Sequence, residues 1–185
     1  GVSQRMPITV LETAVSNAER RALLCGEERI VPRLADVHAA LPSITGKLEL
    51  EYEGELAGAE TIARELIADA ARETLHARGG EAVADQLEEV VDHFDRGGVL
   101  QVSDTASDGA CLAGFAGVPA LLDIVRELSL APDDSPGHRV AAAELVLEAL
   151  VADRRIGRAD GGRFSRAARR QPPGAPGFGP KAFEV

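Results

Sequence analysis

The residue with the clearest potential for chemistry is Arg5, which stands one residue before the expected entry into a helix. A guanidinium carries a permanent positive charge and five N–H donors in a planar fork, which suits a carboxylate or a phosphate. Ser3 lies just upstream, and Pro7 suits the first turn of a helix because its missing N–H costs nothing there. The sequence therefore offers one anion-binding candidate at a helix entrance; the alternative is an ordinary surface arginine.

Metal and nucleophile chemistry find little support in the rest of the sequence. The four histidines are scattered, and none lies at zinc-ligand spacing with a cysteine or another histidine. Asp92, His93 and Asp95 stand together, but a solvated helix end explains them better than a metal site. Cys25 and Cys111 have no histidine nearby in sequence, so we expect two buried free thiols. No glycine-rich loop with Lys-Ser or Lys-Thr is present, so we expect no catalytic residue, metal site or nucleotide cradle here.

A basic cluster near the end of the chain runs against the overall charge. Asp160-Gly161 is a favoured turn dipeptide and predicts a β-hairpin over 155–166. A helix followed by such a hairpin resembles the end of a winged-helix module, whose wing contacts phosphates through basic side chains. The alternative is a capping hairpin whose arginines offset an acidic body. The candidate contacts to a phosphate or a partner are Arg155, Arg158, Arg163 and Arg166.

The overall composition indicates a globular chain with an acidic surface. Its 185 residues are 45% hydrophobic but only 3% aromatic, so the core must be aliphatic, which suits packing of helix on helix. The formal net charge of −10 repels nucleic acid and anionic membranes and disfavours both as partners. The sequence shows neither a long apolar run nor a secretory signal, so we expect a cytoplasmic protein without a membrane segment.

Hydrophobic periodicity predicts the helices that position these residues. The first runs from Pro7 to a stop at Gly26, with an apolar face formed by Ile8, Leu11, Val15, Ala18 and Ala22. Further helices are expected over 32–41, 59–78, 82–96, 118–128 and 138–153, whereas the apolar run 99–102 has no evident partner. Glutamates alternate with apolar residues over 48–55, which fits either a strand edge or an acidic connector.

The first 45 residues or so resemble the helical lid of an AAA+ ATPase, most closely that of the MoxR-like and magnesium-chelatase I-type group. The features that carry the resemblance are Gly1-Val2-Ser3-Gln4-Arg5, a helix that ends near Gly26, and Ile30-Val31-Pro32 before Asp36-Val37. The run 41–55 is similar to actinobacterial proteins described as magnesium chelatase or sigma-54-interacting ATPases. The resemblance does not extend to the rest of the chain.

The resemblance implies that Arg5 is the sensor 2 arginine. Such an arginine reaches the γ-phosphate of an ATP molecule that is bound either to its own subunit or to a neighbouring subunit. Ser3 would then position the loop, and Pro7 would fix the helix. ATP and Mg²⁺ would be held by a phosphate loop and acidic residues upstream of Gly1, so this fragment would bind neither alone. The parent would be a ring-forming ATPase that remodels a protein client or assists metal insertion, with its AAA+ core upstream.

These observations predict an all-α architecture with a small C-terminal β-hairpin. Residues 1–46 would form the lid, 47–55 an acidic connector and 56–167 an appended helical domain that ends in the hairpin. Residues 168–185 are rich in proline and glycine and are expected to form a disordered tail. The rival hypothesis is a stand-alone regulatory or adaptor module with a winged-helix-like end.

Overall fold

A computed structural model describes residues 4–46 and 58–168, which are mostly helical. The acidic run of Glu49, Glu51, Glu53 and Glu55 therefore lies outside the described residues, as do Ser3 and the expected tail beyond residue 168. The helices are α1 (Met6–Cys25), α2 (Leu34–Ala39), α3 (Leu41–Thr45), α4 (Ala59–Ala77), α5 (Ala84–Asp95), α6 (Asp108–Phe115), α7 (Leu121–Glu127) and α8 (Pro136–Ala152). The strands are β1 (Leu100–Gln101), β2 (Ile156–Ala159) and β3 (Arg163–Arg166).

Helix α8 is the central element of the fold. It packs against α2, α4, α6, α7 and β2, so that residues on all of its sides are buried. The sequence predicts a single apolar face on this helix, but a helix enclosed by neighbours needs no polar face. The main core is formed by α5, α6, α7, α8 and the sheet, with Phe94, Phe115, Leu121, Ile124, Leu147, Leu150 and Ile156 among its fully buried residues.

A three-stranded antiparallel sheet closes the C-terminal end of the described chain. The predicted hairpin is present as β2 and β3, with Ile156 opposite Arg166 and Arg158 opposite Phe164. The strand order is β1-β3-β2, so the apolar run 99–102 has a partner that its own sequence does not reveal: Leu100 pairs with Phe164. Strand β1 covers the edge of β3 that the hairpin alone would leave unpaired. The side chains of Leu100 and Phe164 are both buried.

The buried face of α1 differs from the predicted one. Its buried residues are Ala14, Ala18, Arg21 and Ala22, whereas Ile8 and Leu11 are 60% and 64% exposed. Only the second half of the helix lies against the rest of the chain along the predicted stripe. Over the first half, contact with α3 and α4 is made instead by Met6 and Val10, which lie on a different side of the helix.

Several predicted helix boundaries are also wrong, and the helix expected over 118–128 begins only at Leu121. The helix expected over 32–41 begins at Leu34, because Asp36 Oδ2 accepts the backbone N–H of Arg33 at 2.8 Å and so caps its start. Pro42, expected to follow that helix, instead lies in the first turn of α3, where its ring is tolerated. The helix expected from Ala82 begins at Ala84 and follows a 3₁₀ turn over Gly80–Val83.

Candidate functional site

Arg5 lies at the N-cap of α1, as the sequence predicts. Its backbone is already helical, with φ −85° and ψ −8°, and its carbonyl accepts the backbone N–H and the hydroxyl of Thr9, both at 3.2 Å. Pro7 occupies the first turn of the helix, as expected. Arg5 is therefore an exposed cation on a backbone that the helix holds in place.

The second half of α1 carries an arginine of a different kind. The side chain of Arg21 is 1% exposed, although a cation near a helix end is ordinarily solvated. Its Nη2 donates to Asp36 Oδ2 at 3.0 Å and to the carbonyl of Val31 at 2.8 Å, and its Nη1 donates to Glu27 Oε2 at 3.0 Å. Arg21 thus joins α1 to the loop that follows it and to α2.

Asp36 is the acceptor around which this end of α1 is organised. Its side chain is fully buried, and Oδ1 accepts the amide of Asn17 at 2.8 Å while Oδ2 accepts from Arg21 and from the backbone of Arg33. A buried carboxylate is tolerated only where its lone pairs are filled and a cation faces it. Asp36 meets both conditions with partners from α1 and from its own helix start.

Arg33 extends the network into the later part of the chain. Its Nη1 lies 3.6 Å from Asp108 Oδ1 and donates to Cys111 Sγ at 3.1 Å, so it reaches the beginning of α6. Its Nε lies 3.7 Å from Glu144 Oε1 on α8, and the other oxygen of Glu144 accepts the backbone N–H of Ala35 at 2.9 Å. The interface between residues 4–46 and 58–168 therefore includes a buried set of ion pairs, which we call the arginine network (Arg21, Arg33, Asp36, Glu27, Asp108 and Glu144).

Burial shifts the pKa values of several members of this network. Desolvation lowers the pKa of Arg21, but the carboxylates of Asp36, Asp108 and Glu27 outweigh it and leave that pKa above its ordinary value. Desolvation, with repulsion from Glu27, raises the pKa of Asp108. Desolvation also raises the pKa of Glu144, to about 7, although Arg33 opposes the change. Glu144 is thus the member whose charge changes near neutral pH.

The sequence did not identify this network. In the sequence, Arg21 stands near the end of α1, where a cation suits the helix dipole, and Asp36 enters only through the family resemblance. One signal was present, because Arg21 shares a helix face with the small residues Ala14 and Ala18, which is unusual for a solvated arginine. The acidic partners on α6 and α8 are distant in sequence, and no periodicity connects them.

The hairpin arginines are mostly engaged with carboxylates of the protein itself. Arg155 pairs with Glu88 at 2.6 Å, Arg158 lies 3.4 Å from Glu148, and Arg166 lies 3.3 Å from Asp95. Arg158 also lies over the ring of Phe164, 5.6 Å from its centroid. Arg163 is exposed on β3, and the hairpin as a whole presents less unpaired charge than its sequence implies.

The described residues show no cluster of three or more histidine, cysteine or acidic side chains that could hold a metal ion. Asp92 and Asp95 are paired with Arg96 and Arg166 respectively. Cys111 is buried, and burial raises the pKa of its thiol, whereas Cys25 is only partly buried and donates to the carbonyl of Thr105 at 3.3 Å. The expectation of two buried thiols therefore holds for Cys111 only.

Within the described ranges, no helix has the length and apolar character required to cross a membrane. Comparison with models of protein families, with curated proteins and with solved structures finds no match to this chain.

Proposed function

We propose that this chain is the C-terminal part of a cytoplasmic AAA+ ATPase of the MoxR-like and magnesium-chelatase I-type group. Its parent couples ATP hydrolysis to the remodelling of a protein client or to assembly of the metal-chelatase type, and Arg5 senses the γ-phosphate. The observation that carries the proposal is the position of Arg5, an exposed arginine at the N-cap of a 20-residue helix. A bidentate, permanently charged donor is suited to a terminal phosphate.

The apolar surface beside Arg5 supports an upstream docking partner. Ile8 and Leu11 are more than half exposed and lie one and two turns from Arg5 on α1. Apolar side chains that stand side by side at the surface often mark a contact with another protein part. In the proposal, the AAA+ core upstream covers these residues and brings Arg5 to the nucleotide, which that core and its Mg²⁺ hold.

The arginine network supplies the mechanical connection. Loss of the γ-phosphate removes the anion that Arg5 contacts, and the lid then moves relative to the core. Arg21 and Arg33 tie α1 and α2 to α6 and α8 through buried ion pairs, so a displacement of α1 is passed on rather than absorbed at the junction. The displacement would thereby reach a client bound to the appended helical domain.

The test uses the parent protein and the variant Arg5→Ala. The proposal expects ATP turnover to fall by about tenfold or more, since a hydrogen bond to a charged group contributes about 1.5–3 kcal/mol. Arg5→Lys should recover only part of the loss, because it keeps the charge but not the fork. Arg20→Ala is the matched control, because Arg20 is exposed on the same helix and its guanidinium donates to Asn17 Oδ1 at 2.9 Å, within α1 itself.

Unchanged turnover at saturating ATP together with unchanged ATP affinity in Arg5→Ala would remove the sensor role. The sequence upstream of Gly1 provides a separate check, since a parent without a Gly-Lys-Thr or Gly-Lys-Ser phosphate loop is not an ATPase of this kind.

A second candidate function is a regulatory or adaptor module with a winged-helix-like end, and the sheet favours it. Within the described residues the hairpin follows α8 and belongs to a three-stranded sheet of order β1-β3-β2, which supports the resemblance of this end to a winged-helix module. The ion pairs of Arg155, Arg158 and Arg166 favour a protein partner over nucleic acid for it. A titration with duplex DNA at low salt tests this preference, and saturable, salt-dependent binding would reverse it.

A further inference from the structure

A cavity of about 470 Å³ lies between α2, α4, α8 and the start of β2, away from Arg5. Arg64, Ala68 and Arg72 line it from one face of α4, at spacings of four residues. Arg154 and Arg158 line it from the turn after α8 and from β2, and His38 lines it from α2. Four arginines thus converge on one cavity, which the carboxylates of Glu65, Asp69 and Glu148 also line.

The polar atoms at the inner end of the cavity are incompletely bonded. The side chain of His38 is 8% exposed, and neither of its ring nitrogens makes a hydrogen bond within the described residues. Its Nε2 lies 3.2 Å from Glu148 Oε1 without hydrogen-bond geometry. Nε and Nη1 of Arg158 are likewise buried without a hydrogen bond among the described residues, although Nη1 lies 3.4 Å from Glu148 Oε2. Buried donors ordinarily have partners, so these donors point to a ligand.

The carboxylates around the cavity leave the outer arginines available. Arg72 pairs with Asp69 at 3.1 Å, and Arg64 pairs with Glu60 at 2.7 Å, but both side chains of each of these two pairs are at least one-third exposed. Exposed ion pairs contribute about 0–1 kcal/mol and are readily exchanged. Arg154 is exposed in the turn after α8. A multiply charged anion can therefore replace these contacts at small cost.

We propose that this cavity, the α4–α8 cavity, binds a small anion of the phosphate type, held by Arg64, Arg72, Arg154, Arg158 and His38. The volume falls in the range of small-molecule sites, about 300–1,000 Å³. The lining includes no phenylalanine or tyrosine, so a nucleobase would find no ring to stack upon, and recognition rests on the anion. The site is separate from Arg5 and does not depend on the proposed ATPase function.

The same geometry predicts how pH affects binding. His38 faces Glu148 of α8, Arg158 of β2 and Arg64 of α4. Desolvation lowers its pKa, and Arg158 and Arg64 lower it further against the pull of Glu148, so His38 is neutral at pH 7. An anion beside the ring favours the protonated imidazolium. Binding should therefore strengthen as the pH falls from 8 to 6.

The experiment is calorimetric titration of the full chain with inorganic pyrophosphate at low ionic strength, where charge interactions are least screened. We expect saturable 1:1 binding, weakened about tenfold in Arg72→Gln and in Arg64→Gln, since each loses a charged hydrogen bond. Arg126→Gln is the matched control, because Arg126 is exposed and pairs with Asp123 three residues earlier, as Arg72 does with Asp69. It should bind as the unaltered chain does.

Sulfate serves as the probe for the pH series because its charge does not change between pH 6 and 8. The affinity for sulfate should rise toward pH 6 in the unaltered chain, and His38→Gln should abolish this rise while retaining a cooperative thermal transition. If pyrophosphate shows no saturable binding up to about 10 mM, the proposal is overturned. An equal loss of affinity in Arg126→Gln and Arg72→Gln would also overturn it, since binding would then follow the overall charge.

Discussion

Arg21 Nη2 lies 3.0 Å from Asp36 Oδ2, and neither side chain is more than 1% exposed. The pair joins the last turns of α1 to the first turn of α2. Because Asp36 also caps α2 through the backbone of Arg33, one carboxylate fixes both the angle between the two helices and the residue at which α2 begins. The pair is therefore a structural centre of the arginine network.

Asp36→Ala should lower the free energy of unfolding by about 3–5 kcal/mol, because it leaves the buried Arg21 without its main counter-charge. The variant also removes acceptors for the amide of Asn17 and the backbone N–H of Arg33. Urea denaturation followed by circular dichroism measures the loss.

Asp92→Ala is the control for this change, since Asp92 forms an exposed pair with Arg96 four residues later on α5. It should cost no more than about 1 kcal/mol. Equal effects of the two substitutions would show that the burial of the Arg21–Asp36 pair has no energetic consequence.

Glu144 should make stability depend on pH near neutrality. Burial raises its folded pKa from 4.5 to about 7, so the stabilisation linked to its proton is complete below about pH 4.5 and is lost as the pH rises through 7. The gap between the two pKa values corresponds to about 3 kcal/mol. In Glu144→Gln the amide oxygen still accepts from Ala35, and no charge is buried at high pH.

The measurement is the free energy of unfolding of both proteins at several pH values between 5 and 8. Relative to Glu144→Gln, the unaltered chain should lose stability across this range, by an amount on the order of 3 kcal/mol. Parallel pH profiles for the two proteins would contradict the assignment of this titration to Glu144.

Leu11 and Leu41 should respond very differently to the same substitution. Leu11→Ala should change stability by about 0.5 kcal/mol or less, because its side chain is 64% exposed and alanine suits a helix. Leu41→Ala should cost about 2–5 kcal/mol, because Leu41 is buried against α4 with Ile44, Ala63 and Ile67. Thermal unfolding of the two variants measures the difference. A larger loss of stability in Leu11→Ala than in Leu41→Ala would show that Leu11 lies on the buried face of α1, as the sequence predicts.

The sequence predicts those features that depend on neighbours along the chain. The buried face of α5, with Leu87, Val90, Val91 and Phe94, follows from its period, and the hairpin follows from Asp160-Gly161. The position of Arg5 before α1 follows from Pro7 in the same way.

Features that depend on distant partners were not predictable. Arg21 is buried because Asp36 and Asp108 neutralise it, and β1 forms because Phe164 and Arg163 offer it an edge. A local pattern contains no information on such partners, and a charged side chain on an apolar face is ordinarily assigned to solvent. The α4–α8 cavity could not be predicted from the sequence for the same reason, because its basic residues come from three separate elements.

Adjacent glycines in the β2–β3 turn should differ in their tolerance of alanine. Both have positive φ, +74° at Gly161 and +77° at Gly162, so alanine costs about 1–2 kcal/mol in backbone strain at either position. A Cβ at Gly161 meets nothing within 4 Å, whereas one at Gly162 would lie 2.1 Å from the carbonyl oxygen of Val102. Since Val102 N also donates to the carbonyl of Gly162 at 2.9 Å, that clash must displace β1 from β3.

Gly162→Ala should therefore be more destabilising than Gly161→Ala by at least about 1 kcal/mol in urea denaturation, and faster hydrogen exchange at Val102 should accompany it. Equal stability of the two variants would mean that β1 contributes nothing to holding the turn.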